Sequence, residues 1–179
     1  LDQAIASKAF VRIIDLSEVK LSELQAIYGN NNIEYIVSSE HAVAEALKDS
    51  DLVIGAVYVV GKKAPKIIKT EMLKSMKAGA VLVDISIDQG GCFESSRPTT
   101  HDNPTYTVDG VIHYCVTNMP GAVPLTATKA LNKSTLKYVK ELANKGINKA
   151  LEDNKHLANG LNISKGEVVH PAVKEALSS

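Results

Sequence analysis

Asp88 is the residue of this chain best placed by its neighbours to do chemistry. It follows a strongly apolar run and is followed at once by Gln89 and two glycines, Gly90 and Gly91. Consecutive glycines let a backbone approach a bound molecule closely, and a carboxylate beside them can orient a substrate or hold a proton. The same residues also suit a plain turn, so their composition leaves both interpretations open.

Asp15 is a second candidate, because it ends the apolar run FVRII and precedes a helical pattern that Ser17 can cap. In a dinucleotide-binding fold, an acid at the end of the second strand accepts hydrogen bonds from the adenosine ribose hydroxyls. A glycine-rich phosphate loop is expected roughly 20 residues before that acid, but only 14 residues precede Asp15. We therefore expect a dinucleotide-binding domain that lacks its first strand and glycine loop. A turn or cap aspartate is the alternative.

Strand and helix signals alternate through the first two-thirds of the chain, which predicts βαβ crossovers and a parallel sheet. Residues 51–59 form a continuous apolar run, as expected for a strand buried on both faces. The predicted strands are 10–14, 33–37, 51–59, 80–85 and 111–116, and the helices between them include 40–48 and 71–76.

The pattern becomes helical from Pro120 onward, with a hairpin expected around residues 165–166 and a last helix from Pro171. This tail is too small to bury its own apolar face, so we expect it to pack on something outside the chain. The predicted fold is α/β, an N-terminally truncated Rossmann-like parallel sheet over residues 1–123. Residues 124–179 would be a helical segment of a substrate domain that is mostly absent.

Composition limits the classes of function. The formal net charge is zero, so the overall field favours neither nucleic acid nor an anionic membrane as a partner. No apolar run reaches the roughly 20 residues that span a bilayer. Cys92 and Cys115 have no metal-ligand spacing. We expect no metal site and free thiols in a reducing compartment, with the cytoplasm as the default location.

Nearly the whole chain is similar to the alanine dehydrogenase family, and corresponds to its C-terminal half. The most specific segment is DISIDQGGCFESSRPTTH, residues 84–101, and GLNISKGEVVHPAVKEA extends the likeness to residue 176. The nicotinamide transhydrogenase is a relative with the same dinucleotide fold, but it lacks the long IDQGG-to-RPTTH signature.

The resemblance implies reversible NAD-dependent oxidative deamination of L-alanine to pyruvate and ammonia, by a homo-oligomer that is a hexamer in the family. It implies that Asp88 is the catalytic aspartate, paired with a histidine of the missing half, and that the chain alone is inactive. The implied cofactor-binding residues are Asp15, Lys20, Ser38, Val57, Tyr58, Ile85, Ser86, Ile87, Asp88, Val116, Thr117, Asn118 and Met119.

Four positions depart from the family pattern. Val60 and Lys62 change VPGAKAP to VVGKKAP, and Leu125 and Ala127 change PRTST to PLTAT, which bears on domain closure. Two alternatives therefore stay open. One is a non-catalytic truncated relative that acts by association, and the other is a transhydrogenase-like nucleotide-binding subunit.

Overall fold

Helices and strands alternate along the first two-thirds of the chain in a computed structural model, which describes residues 1–59 and 63–178. The departures at Val60 and Lys62 lie outside the described residues. The helices are α1 (Asp2–Ala6), α2 (Glu18–Tyr28), α3 (Glu40–Leu47), α4 (Pro124–Asp153), α5 (Lys155–Ala158) and α6 (Pro171–Ser178). The strands are β1 (Val11–Asp15), β2 (Ile33–Val37), β3 (Leu52–Gly55), β4 (Val81–Asp84), β5 (Thr105–Val108), β6 (Val111–Tyr114), β7 (Ile163–Ser164) and β8 (Glu167–Val168).

The predicted α/β class with parallel crossovers is confirmed, and the parallel strands fall into two sheets. β1 and β2 pair in parallel over their full lengths. The second sheet has the order β3-β4-β6-β5, in which β3, β4 and β6 are parallel and β5 is antiparallel to β6. Because neighbouring parallel strands need a crossover connection, α2 connects β1 with β2, and the segment after β3 connects β3 with β4.

The strand predicted over residues 51–59 was wrong in extent and in burial. β3 ends at Gly55, whose ladder partner is Asp84, the last residue of β4. Beyond that point the backbone of Val57 is held by the Ser86 side chain and not by a strand. Leu52 and Ile54 are 58% and 56% exposed, because both side chains project from the same face of β3, which the described residues leave largely uncovered.

A cavity of about 540 Å³ separates β3 from β1, and we call it the inter-sheet slot. Its walls include Arg12 and Ile14 on β1, Ile54 on β3 and Leu47 on α3. A strand edge carries unpaired backbone N–H and C=O groups, and two such edges line this slot. The slot has the position that the expected first strand would take, and that expectation stays a prediction.

The hydrophobic core lies against the four-stranded sheet and includes Leu73, Leu82 and Phe93, all at most 2% exposed. At Gly55, a Cβ atom would lie 2.4 Å from Cys92 Sγ and 2.5 Å from Phe93 Cζ. Real Cβ atoms do not approach this closely, so only glycine fits at the end of β3. The loop that follows β4 therefore packs directly on the carboxyl end of β3.

Local signals in the sequence set the boundaries of α2 as expected. Ser17 Oγ accepts a hydrogen bond from Lys20 N–H at 3.3 Å, and Gly29 ends the helix with φ +69°. The short helix predicted over residues 71–76 is present one residue earlier, as the 3-10 helix Thr70–Ser75. So short a segment, with Met72 and Leu73 buried, suits the tighter 3-10 geometry of connecting turns.

The C-terminal segment is mostly the long helix α4, which is interrupted at Gly146 by non-helical φ +71° and ψ 164°. Its apolar side chains Leu131, Val139 and Ile147 are each more than half exposed. The hairpin around residues 165–166 and the helix from Pro171 are confirmed. In residues 1–59 and 63–178, no helix is both long and apolar enough to cross a membrane.

Candidate functional site

Nearly all the predicted site residues lie at the carboxyl ends of parallel strands, where an open α/β sheet binds ligands. Ser38 and Val57 both line the inter-sheet slot, so the ends of β2 and β3 open on the same side. Lys20 lies on the first turn of α2. The others are Asp15 at the end of β1, Tyr58 after β3, Ile85, Ser86, Ile87 and Asp88 after β4, and Val116, Thr117, Asn118 and Met119 after β6.

Asp15 serves the start of α2 and keeps a free oxygen. Its Oδ1 accepts a hydrogen bond from Ser17 N–H at 2.8 Å, as the turn-aspartate alternative expects. No described residue donates to its Oδ2. Ser38 N–H donates to the Asp15 carbonyl at 2.9 Å, which joins the ends of β1 and β2. The turn role and a ligand-binding role are therefore compatible in one side chain.

Ser86 connects the segment after β4 with the segment after β3. Its Oγ donates to the Val57 carbonyl at 2.8 Å and accepts from Val57 N–H at 2.9 Å. Ser86, Ile87 and Val116 are at most 7% exposed, so these residues are packed inside the protein, and direct contact of any of them with a cofactor stays a prediction. Tyr58 and Ile85, at 71% and 56% exposed, present apolar surface on either side of this connection.

Asp88 lies exposed in the 3-10 turn Ile87–Gln89, within a loop that hydrogen bonds and close packing hold in place. Lys66 Nζ donates to the carbonyls of Gly90 and Gly91 at 2.6 and 2.9 Å. Gly91 has φ +74°, and a Cβ there would lie 2.8 Å from Asp84 Oδ2. The glycine pair is thus required by backbone conformation and by close packing on Asp84.

Asp84 is the residue that sequence reasoning missed. It is the last residue of β4, is fully buried, and accepts hydrogen bonds at both carboxylate oxygens. Ser86 N–H donates to Oδ1 at 3.0 Å, Cys92 N–H donates to Oδ2 at 2.8 Å, and Ser96 Oγ–H also donates to Oδ2. The sequence did carry a signal for this role, since Asp84 is the single acid at the end of an otherwise apolar strand. A carboxylate buried in that position needs several hydrogen-bond donors around it.

The second half of the signature segment lies beside the end of β6. Thr99 N–H donates to the Cys115 carbonyl at 3.0 Å, and Thr117 N–H donates to the Thr99 carbonyl at 3.2 Å. His101 Nε2 lies 3.1 Å from the carbonyl oxygen of Asn118, which has φ +57°. These contacts place residues 99–101 next to the last predicted cofactor-contacting segment.

His113 has a structural role in β6, where it alternates with apolar residues. It is fully buried, its Nδ1 lies 3.0 Å from the Val111 carbonyl and its Nε2 lies 2.7 Å from Ser95 Oγ. Burial lowers the pKa of His113, which favours the neutral ring, and this ring stacks on Tyr106. Across the described parts of the chain, no three His, Cys, Asp or Glu side chains are grouped to hold a metal ion.

The stability of the protein should fall at alkaline pH through Cys92. Burial, and then the nearby Asp84 carboxylate, raise the pKa of the Cys92 thiol to about 12, whereas an unfolded cysteine ionises near pH 8.5. Above that pH the folded state keeps a proton that the unfolded state loses. The free energy of unfolding should therefore decrease by up to about 1.4 kcal/mol per pH unit.

Urea denaturation at pH 8 and pH 10 tests this expectation in the wild type and in Cys92→Ala. Other groups contribute equally to both proteins, so the alanine variant should lose about 1 to 2 kcal/mol less over this interval. Equal losses would show that Cys92 does not ionise differently in the folded state.

An α/β domain with polar residues at the carboxyl ends of its parallel strands is typical of the nucleotide-binding class of folds. The family model described as "Alanine dehydrogenase/PNT, C-terminal domain" matches residues 1–171. The chain belongs to this family, which confirms the resemblance of its signature segment.

Curated relatives share about half of their aligned residues with the chain. The alanine dehydrogenase of Halomonas elongata is 51% identical over 173 residues, which are 97% of this chain and 46% of the relative. The alanine dehydrogenase of Lysinibacillus sphaericus is 48% identical, with the same coverage of both chains. The chain therefore spans about half the length of the curated relatives that it matches.

Solved structures agree with this assignment. An L-alanine dehydrogenase structure superimposes with a TM-score of 0.86 at 46% identity and covers 99% of this chain, which spans 48% of that structure. The transhydrogenase from Sinorhizobium meliloti superimposes with a TM-score of 0.67 at 24% identity. The match covers 92% of this chain and 43% of the transhydrogenase chain. The second likeness concerns the fold alone.

Proposed function

We propose that the chain is the cofactor-binding part of an alanine dehydrogenase, which interconverts L-alanine with pyruvate and ammonia using NAD. Family membership and relatives of about 50% identity with that name support the proposal. The observation that carries it is the joining of strand ends around the slot. Ser38 and Val57 line the same cavity, and Val57 is hydrogen-bonded to Ser86 in the loop that bears Asp88.

The described residues fit several parts of NAD. The Oδ2 oxygen of Asp15 is available for an adenosine ribose hydroxyl, and its charge disfavours a 2′-phosphate. The exposed surfaces of Tyr58 and Ile85 suit contact with a planar ring. Backbone groups of residues 117–119, which follow the buried Val116, complete the proposed contacts at the end of β6. When bound, NAD supplies hydride transfer, while the protein supplies orientation and electrostatics.

In this proposal Asp88 is the residue of this chain that takes part in the chemical step. Oxidation of an amine to a ketone requires proton removal from the amine and from the attacking water, which a carboxylate can assist. Asp88 is exposed after β4, so its carboxylate can reach a substrate on that side of the sheet. Residues that bind the substrate carboxylate would come from outside this chain.

The proposal assigns residues 1–123 to a dinucleotide-binding domain and residues 124–179 to a substrate domain. The exposed apolar side chains of α4 support an additional packing partner, in the same polypeptide or in a homo-oligomer. Leu125, a departure from the family pattern, is 68% exposed at the start of α4. The change at this position therefore affects contacts with parts outside the described chain. We propose the cytoplasm as the location of the protein.

Expression of the complete reading frame that contains this sequence tests the function directly. The protein should reduce NAD in the presence of L-alanine, measured by NADH absorbance, with D-alanine as the matched control. Binding of NADH without turnover of either isomer would favour the non-catalytic relative. Failure to bind NADH would contradict the proposal altogether.

A chimera separates the competence of this chain from the nature of its neighbours. In it, this chain replaces the matching 173 residues of the Halomonas elongata alanine dehydrogenase. The chimera should fold and turn over L-alanine with NAD. A folded chimera that binds NADH but has no turnover would show that residues of this chain have lost the catalytic role.

A further inference from the structure

We propose that Asp84 is a positioning residue for Asp88, whose place above the sheet is fixed by the buried Asp84 carboxylate. The proposal rests on the function proposed above, in which Asp88 contacts the reacting atoms. Asp84 itself is fully buried and so does not contact a ligand. Its effect on the reaction would pass entirely through the loop of residues 86–92.

The loop begins and ends on the same carboxylate group. Ser86 N–H, at its start, donates to Asp84 Oδ1 at 3.0 Å, and Cys92 N–H, at its end, donates to Asp84 Oδ2 at 2.8 Å. Asp88 lies between these two attachment points. Since both are backbone groups, the hydrogen bonds constrain the path of the chain and not merely one side chain.

A carboxylate is the group that this position requires. The Cys92 thiol, 3.4 Å from Oδ1, and the Ser96 hydroxyl at Oδ2 raise the number of donors around Asp84 to four. An asparagine has one acceptor oxygen, and its NH₂ group can only donate. Asp84→Asn would therefore set this NH₂ against the N–H of either Ser86 or Cys92, and a buried donor without an acceptor is costly.

In Asp84→Asn, the remaining hydrogen bonds would keep the loop of residues 86–92 near its original place but would not hold it in a single position. Ser86 Oγ keeps its two hydrogen bonds to the Val57 backbone, and Lys66 Nζ keeps those to Gly90 and Gly91. Loss of the Asp84 attachment should thus displace Asp88 without unfolding the domain. A displacement of about 1 Å in an active site can cost on the order of 100-fold in rate.

A double-mutant cycle of Asp84→Asn and Asp88→Asn, in the protein from the complete reading frame, distinguishes positioning from simple stabilisation. Asp84→Asn alone should lower kcat by about 10- to 100-fold. In the Asp88→Asn background the same change should lower kcat by less than about 3-fold, because the group that it positions is already gone. Equal factors in both backgrounds, or a lower melting temperature with unchanged kcat, would overturn the proposal.

Tyr106→Phe is the matched control, because it removes a partly buried hydroxyl that is bonded to Arg97 N–H and the Ser95 carbonyl. It touches no residue of the loop, and its kcat should stay within about 3-fold of the wild type. If Asp84→Asn does not fold, Ser96→Ala takes its place in the cycle. It removes one of the four donors and should give a smaller loss that also vanishes in the Asp88→Asn background.

Amide hydrogen exchange gives a readout that does not depend on activity. In Asp84→Asn, the amides of residues 86–92 should exchange about tenfold or more faster than in the wild type. The amides of β6 should exchange at the wild-type rate. Unchanged exchange would refute the positioning role even in an active enzyme. A wild-type protein without alanine turnover would refute the proposed function, and with it the catalytic consequence of Asp84, before any variant is compared.

Discussion

Asp88→Asn should lower the turnover number for L-alanine by about 10²- to 10⁴-fold, the contribution typical of a positioned acid or base. The amide has the size of the carboxylate but cannot accept a proton at neutral pH. Asp88 is exposed in the 3-10 turn, so the change removes no packing and the melting temperature should stay unchanged. Initial rates with saturating L-alanine and NAD give kcat, and fluorescence titration gives the dissociation constant of NADH.

The dissociation constant should stay within about threefold, because proton transfer contributes to the transition state and not to cofactor binding. Asp109→Asn is the matched control. It makes the same chemical change in the exposed turn between β5 and β6, at the opposite end of β6 from the candidate site. Its turnover should equal that of the wild type. Near-normal turnover in Asp88→Asn would remove Asp88 from the mechanism.

Asp15→Asn should weaken the preference for NADH over NADPH by about 10- to 100-fold, which corresponds to about 1.4 to 2.8 kcal/mol. Asparagine keeps an acceptor for Ser17 N–H, so the start of α2 is retained. Asparagine lacks the negative charge of Asp15. In the wild type that charge repels a 2′-phosphate, and it also strengthens the hydrogen bond to a ribose hydroxyl. Titrations of both reduced cofactors into the wild type and the variant at one ionic strength measure the ratio.

Glu18→Gln controls for the general loss of one negative charge near this site, because Glu18 is exposed in the first turn of α2. Its selectivity ratio should change by less than about threefold, since charges between exposed groups are screened by salt. A wild type that prefers NADPH, or an equal change in Glu18→Gln, would contradict the role proposed for Asp15.

Local sequence signals predicted the elements whose boundaries depend on nearby residues. The bounds of β2, the Ser17 cap, the end of α2 at Gly29 and the helix from Pro171 all agree with the structure. The antiparallel strand β5 was not predicted, although Asp109-Gly110 is a recognised hairpin turn signal. The alternation in Thr105–Val108 is too short to identify a strand without that turn.

Other features depend on pairing partners that sequence patterns do not specify. An apolar run shows that residues 51–59 are suited to a strand, but the ladder ends where β4 ends, at Gly55 and Asp84. For the site, the ends of the predicted strands already placed Asp15 and Asp88 among the candidates, and the family resemblance supplied the role of each residue. Asp84 was missed because its partners Cys92 and Ser96 are brought to it by the folding of the loop.

The inter-sheet slot has a consequence for how the molecule unfolds. Cooperativity in a sheet requires strands that share hydrogen bonds, and no described strand is bonded to both β1 and β3. Among the described residues, the pair β1 and β2, with α2 packed on it, is held to the four-stranded sheet by side-chain contacts alone, such as Ile14 against the core and Arg12 with Asp49. We therefore expect heat or denaturant to melt the β1–β2 pair before the four-stranded sheet. A strand that occupied the slot would join the two into a single folding unit.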